Sequence, residues 1–154
     1  MKKRKKKLVC GLDLGAARVG VAVSDESGAL AFPRGALAAR PRPALLAALE
    51  ALVRDEGVSR FIVGLPLDAR GDEGDAARKI TEIAQQIADT TGCDVELWDE
   101  RLTTVEASRR LAEAEVFGKK AKAHVDETAA VLILQSWLDA QRRPRPGGAR
   151  GGEE

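Results

Sequence analysis

Two hydrophobic periods divide this chain. Residues 8–13 form a short apolar run with β-branched Val9, and residues 18–24 alternate Val19, Val21 and Val23 with smaller side chains, so both read as strands. Gly15-Ala16-Ala17 between them and Asp25-Glu26-Ser27-Gly28 after them are turn material, which makes the pair a hairpin. A third strand is expected within 29–39, where Pro33 and Gly35 interrupt the pattern. The period then lengthens. Pro41 and Pro43 introduce a helix with Leu45, Leu46, Leu49, Leu52 and Val53 on one face, stopping near Gly57. Residues 60–64 (Arg-Phe-Ile-Val-Gly) read as a buried strand, and 65–74, with two glycines and four charged residues, as a loop. A second helix is predicted over 75–91, turning Ile80, Ile83, Ala84 and Ile87 inward, with Gly92 as its stop. A fifth strand follows at 94–98. A third helix is expected over 103–115, where Thr103 and Glu106 fit a capping box. After a basic loop at 117–123, a last helix over 125–141 turns Ala129, Ala130, Ile133, Leu134 and Trp137 inward.

The order β-β-β-α-β-α-β-α-α predicts an α/β domain with a mixed sheet and helices on its faces. At 154 residues the chain fits one such domain, and it shows no internal repeat. A hydrophobic fraction of 44% against 32% charged residues argues against wholesale disorder. No apolar run approaches the ~20 residues of a membrane-spanning helix. The basic start imitates a signal peptide, but Asp13 and Arg18 cut its apolar continuation short, so a cytoplasmic protein without membrane partners is expected. The net charge of +1 conceals an asymmetry. Residues 2–7 hold six basic groups and 142–154 hold four basic and two acidic ones, which leaves 15 basic and 22 acidic groups over 8–141, a net of −7. We therefore expect a basic arm at 1–7, an acidic domain over 8–141 and a flexible Pro/Gly/Arg-rich tail at 142–154; such arms often contact nucleic acid.

The inventory of reactive groups is short. There is one histidine, His124, without a Ser or Cys partner at a suggestive spacing, and there is no tyrosine. Cys10 and Cys93 lack C-x-x-C spacing and behave as small apolar residues beside strands. Carboxylates remain. Asp13 ends the first strand where Leu12 and Leu14 suit a core and an acid does not; Asp99 and Glu100 end the fifth; Asp126 lies four residues before Ala130 and seven before Ile133, on or beside the buried stripe of the last helix. Each has an ordinary alternative as turn cap, solvated strand end or helix N-terminal charge. If they met, they would repel strongly without a hard divalent cation such as Mg²⁺ or Mn²⁺, which takes oxygen ligands.

Four ordered motifs carry a resemblance. Gly11-Leu12-Asp13-Leu14-Gly15 with Arg18-Val19-Gly20-Val21-Ala22-Val23-Ser24-Asp25, then Ile62-Val63-Gly64-Leu65-Pro66-Leu67, then Asp99-Glu100-Arg101-Leu102-Thr103-Thr104, then Val125-Asp126 with Ala129-Ala130-Val131 are together similar to the pre-16S ribosomal RNA nuclease family, also described as Holliday-junction-resolvase-like. The resemblance spans residues 8–141. It implies a ribonuclease-H-like fold, a five-stranded mixed sheet in the order 3-2-1-4-5 with helices on both faces. In that order the first and fifth strands lie about 10 Å apart, two strand spacings, too far for a Cys10–Cys93 disulfide. The family's acidic triad falls on Asp13, Glu100 and Asp126, as catalytic and metal-holding residues; the resemblance selects Glu100 over Asp99. Thr103 and Thr104 lie in a family motif but are explained by helix capping. The chain departs from the family at Asp68-Ala69-Arg70, where an Asn is more usual, and at His124 and Glu127 around Asp126.

The implied activity is metal-dependent phosphodiester hydrolysis at the 5′ end of pre-16S ribosomal RNA, with two Mg²⁺ or Mn²⁺ ions about 3.5–4 Å apart activating water and stabilising the leaving oxygen. Arg18, Arg109, Arg110, Lys119, Lys120 and Lys122 are the candidate phosphate contacts. Only five residues are aromatic, and Phe32, Phe61 and Trp137 read as core, so binding should depend on charge and shape rather than base stacking. The partners expected are pre-ribosomal RNA or branched DNA, with the protein a monomer or weak homodimer. Junction resolution and a non-catalytic nucleic-acid-binding or transcription-associated role are the alternatives. Asp13-Leu14-Gly15 with Gly20 also resembles the first phosphate loop of actin-like ATPases and sugar kinases, whose second lobe this length does not accommodate.

Overall fold

The alternation of Leu8, Cys10 and Leu12 with Val9, Gly11 and Asp13 gives β1 (Leu8–Leu14) two different faces, and the rest of the chain is arranged around it. In the computed structural model, which describes residues 7–68, 70–103 and 125–142 (side chains of the last helix from 129 onward), β1 is the central strand of five. β2 (Arg18–Ser24) and β3 (Ala31–Ala38) extend the sheet antiparallel on one side; β4 (Val58–Leu65) and β5 (Asp94–Asp99) extend it parallel on the other. The order is β3-β2-β1-β4-β5, the mixed ribonuclease-H-like sheet that the sequence resemblance implies.

The parallel pairs need crossovers, and two helices supply them. α1 (Arg42–Glu56) joins β3 to β4 and α2 (Asp75–Thr91) joins β4 to β5, both on one face. Their ends are where the glycines predict: Gly57 (φ 82°) and Gly92 (φ 73°) adopt left-handed conformations that a Cβ would strain, and both donate back to helix carbonyls. This face packs Cys10, Leu12, Phe61 and Val63 of the sheet against Leu45 and Leu49 of α1 and Ile80 and Ile87 of α2. Burying each large side chain contributes about 1.5–3 kcal/mol.

The other face belongs to α3 (Val125–Arg142), which lays Ala130, Ile133, Leu134 and Trp137 over Ala22, Ala31 and Ile62. Contact with β1 is direct, because Gly11 offers no side chain; a Cβ there would stand 2.7 Å from Leu134 Cβ and 3.0 Å from the Ala130 carbonyl oxygen. At the edge, the buried Gln135 amide accepts from Ala31 N (2.9 Å) and donates to Ala29 O (3.0 Å), which ties β3 to the helix.

One expectation needs correction. Phe32 is 39% exposed rather than core: it alternates with buried Ala31 on β3, the edge strand of the sheet. Ile83 and Ala129 face inward as expected, each half-buried, Ile83 against the core beneath α1 and α2. Cys10 is buried and Cys93 half-buried, both as free thiols, and burial pushes the Cys10 thiol well above its ordinary value. The helix expected at 103–115 and the basic loop at 117–123 lie outside the described residues, apart from Thr103, which is extended. No described helix is long and apolar enough to cross a membrane.

Candidate active site

Side chains alternate along β1, so Asp13 faces α3 while Leu12 and Leu14 pack toward α1 and α2. Its neighbours in the sheet are small. Gly20 is its partner on β2, and the parallel register Leu12↔Val63 brings Gly64 alongside on β4. Both glycines are buried, and the space a side chain would take on Gly64 is filled by Ile133 and Glu100.

β5 ends beside Gly64. The register pairs Gly64 with Trp98 and Leu65 with Asp99, after which the chain turns into a single 3₁₀ turn, Glu100–Leu102. That turn separates two adjacent acids. Asp99 caps it, accepting from Arg101 N (2.9 Å) and from the Arg101 guanidinium at Nε (3.1 Å) and Nη2 (2.7 Å), and these bonds hold its carboxyl below the usual range. Glu100 turns instead over Gly64, close enough that a Cβ on that glycine would lie 2.9 Å from Glu100 Oε2. Its carboxyl is raised above its ordinary value, first by burial and then by the negative charges of Asp13 and Asp99. A carboxylate desolvated beside like charges is poised for a cation.

Asp13 and Glu100 line one cavity of about 260 Å³ together with Thr103, Ala129, Leu132 and Ile133. The turn that carries Glu100 is tied on two sides. Arg101 also donates to the Asp68 carbonyl (3.2 Å), tying the loop after β4 to the turn, and Trp98 Nε1 donates to Ser136 Oγ (3.1 Å), whose hydroxyl donates to Leu102 O (2.7 Å). The donor set is oxygen only, which suits Mg²⁺ or Mn²⁺. No group of three His, Cys, Asp or Glu side chains able to hold a metal occurs among the described residues.

Of the residues singled out from sequence, the fold thus brings Asp13 and Glu100 together. Asp126 falls in the first turn of α3, its side chain outside the description. Arg18 is exposed at the start of β2, where its carbonyl accepts from Gly15 N (3.0 Å) to close the hairpin. Arg109, Arg110, Lys119, Lys120 and Lys122 lie outside the described residues. Sequence reasoning passed over Thr103, read as a helix cap, and the aliphatic wall. Gly64-Leu65-Pro66, at the C-terminal end of a buried strand, reads from sequence equally as a ligand-contacting loop or a plain turn.

Comparison with known proteins agrees with the fold. Residues 7–140 match the family model described as RuvX, Holliday junction resolvase. A protein of Chloroflexus aggregans named "Putative pre-16S rRNA nuclease" is 41% identical over 136 residues, covering 88% of this chain and 96% of its own length. A protein of the same name from an Anaeromyxobacter species is 44% identical over 131 residues, covering 85% and 96%. Among solved structures, RuvC of Thermus thermophilus shares the fold at a TM-score of 0.58 and 15% identity, over 87% of this chain and 95% of that one. The same protein in complex with a Holliday junction substrate gives 0.57 and 14%, over 88% and 95%. By the extent of the family match and of these relatives, the chain belongs to the RuvX family.

Proposed function

We propose that this chain is a divalent-metal-dependent nuclease that hydrolyses phosphodiester bonds at the 5′ end of pre-16S ribosomal RNA, with Asp13, Glu100 and Asp126 as its catalytic, metal-holding carboxylates. The observation that carries the reading is the cavity shared by Asp13 and Glu100, where burial and like charge already penalise Glu100 ionisation. Membership of the RuvX family and the names of the curated relatives support the reaction and the substrate. Asp126 precedes Ala129 and Ile133, two residues of the cavity wall, by three and seven positions in the sequence, a spacing that supports its inclusion.

Bound Mg²⁺ or Mn²⁺ supplies Lewis acidity toward the phosphate and a water acidic enough to attack near neutral pH. The chain does the rest. Asp13 and Glu100 offer their oxygens from rigid positions, a strand end and a capped turn. Gly64 leaves room for the Glu100 carboxylate to lie over the sheet end. Leu132 and Ile133 keep bulk water from one side, which strengthens charge interactions within. Arg18, Arg109, Arg110, Lys119, Lys120 and Lys122, with the arm at 1–7 and the tail at 142–154, would hold flanking phosphates against an acidic domain over 8–141. We take the protein to act in the cytoplasm as a monomer or weak homodimer.

The family description favours branched DNA as a second reading. One assay separates the two: the protein with Mg²⁺ or Mn²⁺, offered a 5′-extended ribosomal RNA precursor and a four-way DNA junction in parallel. Trimming of the RNA alone supports the proposal, and symmetric nicking of the junction alone replaces it with the resolvase reading. No cleavage of either would leave a binding role in place of catalysis.

A further inference from the structure

A larger cavity, about 490 Å³, opens on the opposite face of the sheet, between the hairpin turn and the first turns of α1 and α2. Leu14, Val19, Leu45, Ile80 and Ile83 make its apolar wall. Arg40, Arg42 and Lys79 line it as well, with one carboxylate, Glu82. Its size and its mix of apolar wall and few charged groups are those of a small-molecule site.

The cations of this cavity differ from six arginines elsewhere on the surface. Arg34, Arg54, Arg60, Arg70, Arg78 and Arg101 each have a carboxylate partner. Arg40, Arg42 and Lys79 have none among the described residues. Arg42 donates only to the neutral amide of Gln86 (3.0 Å), and its buried Nε meets no acceptor. Three cations gathered at one cavity without an ion-pair partner among the described residues suit an anion. The helices add to this: both begin at the cavity, and neither N-terminus carries a side-chain cap.

We propose that this cavity binds a phosphorylated nucleotide, its phosphate held by Arg40, Arg42 and Lys79 and its base laid against the apolar wall. Three cations and one carboxylate leave a charge of +2, which matches the roughly −1.5 to −2 of a phosphate monoester near neutral pH. An uncharged ligand would leave the cations unanswered, and inorganic phosphate would leave the wall empty. Two sources share this chemistry: a free mononucleotide, or the terminal nucleotide of a strand. Leu14 and Gly15 directly follow Asp13, so a strand held at the carboxylates reaches this cavity by rounding the hairpin turn. Only the strand-end source rests on the nuclease reading; binding of a mononucleotide does not, so either fails without the other.

Calorimetric titration of the full-length protein tests it, with 5′-AMP and 5′-UMP against adenosine and inorganic phosphate as partial ligands. The nucleotides should bind, and each partial ligand should bind at least about tenfold more weakly. Arg40→Ala and Lys79→Ala, at exposed positions and therefore with unchanged melting temperatures, should each weaken AMP by about tenfold or more. Asp13→Asn should leave AMP binding as it is. Displacement of AMP by a short single-stranded RNA bearing a 5′-phosphate, but not by its 5′-hydroxyl form, assigns the site to a strand end; no displacement by either assigns it to a free nucleotide. Failure of AMP and UMP to bind at millimolar concentration, or binding undiminished in Arg40→Ala and Lys79→Ala, overturns the proposal.

Discussion

At Gly64 an added methyl group has nowhere to go without touching the site. It would stand 2.5 Å from Ile133 Cδ1 and 2.9 Å from Glu100 Oε2, both ends of side chains that can rotate away. At Gly11 the obstacles are Leu134 Cβ at 2.7 Å and the Ala130 carbonyl at 3.0 Å, which move only if α3 moves. The two alanine variants should therefore diverge. Gly11→Ala should lose more stability, about 2–3 kcal/mol against about 1 for Gly64→Ala. Gly64→Ala should lose more activity, on the order of a hundredfold, because a carboxylate oxygen displaced by about an ångström no longer meets its partner. Denaturant melts and initial rates measure both; equal losses of activity per unit of stability would show that Gly64 serves packing alone. Asp25 is a different residue-scale case. Burial pushes its carboxyl up, but the Ser27 hydroxyl (2.6 Å) and the amides of Leu30 (3.2 Å) and Ala29 (2.9 Å) outweigh that and hold it below its ordinary value near 3.8. A carboxyl depressed on folding stabilises the fold above its unfolded pKa and loses that contribution as pH falls through the folded one. Asp25→Asn should thus be less stable than wild type at pH 7, by about 1 kcal/mol, with the gap closing below about pH 4. A gap independent of pH would mean that the charge of Asp25 is not what holds the turn.

Between elements, the weight falls on one hydroxyl. Ser136 of α3 accepts from Trp98 Nε1 on β5 and donates to Leu102 O in the turn that carries Glu100, so a single side chain sets the helix, the strand and the turn relative to one another. Ser136→Ala strands a half-buried indole N–H and a carbonyl, a cost of about 1–3 kcal/mol. Because the Leu102 bond fixes the Glu100 turn, activity should fall beyond what the loss of folded protein explains, and Ser136→Thr should recover part of it. An alanine variant as active as wild type would confine Ser136 to stability. The elements themselves were largely legible: α2 spans 75–91 as its 3.6-residue period and Gly92 predict, and β1 and β2 pair as the hairpin their turn residues require. Exposure at the sheet margin was not legible, because Phe32 has the composition of a core residue and only the position of β3 at the edge leaves it uncovered. The site was half legible. Asp13 betrayed itself as an acid where the alternation asks for an apolar side chain. Glu100 and Asp99 were indistinguishable by pattern, because the 3₁₀ turn that separates their roles begins between them.

For the molecule as a whole, the proposed site joins β1, the turn after β5 and the first turn of α3, so what binds there couples to global stability. Without a cation, Asp13 and Glu100 hold like charge in one cavity, and the cost appears in the raised Glu100 carboxyl. Neutralising either acid should relieve that repulsion. In EDTA, Asp13→Asn and Glu100→Gln should melt at or above the wild-type temperature, although both change residues partly withdrawn from solvent. Wild type should gain stability on adding Mn²⁺, as a ligand of the native state contributes RT ln(1 + [L]/Kd), about 2.7 kcal/mol at a hundred times Kd. That gain should shrink in both variants and in Asp126→Asn, together with hydrolysis. A structural carboxylate behaves in the opposite way: its loss costs about 1–3 kcal/mol in EDTA and leaves the metal response intact. Asp126→Asn is the discriminating variant, because its place at the site follows only from helical spacing and family resemblance. If it keeps the full Mn²⁺ shift while the other two lose it, the cation is held by Asp13 and Glu100 without α3. If all three keep the shift and lose stability in EDTA, the shared metal site is wrong, and metal-dependent hydrolysis at this cavity is wrong with it.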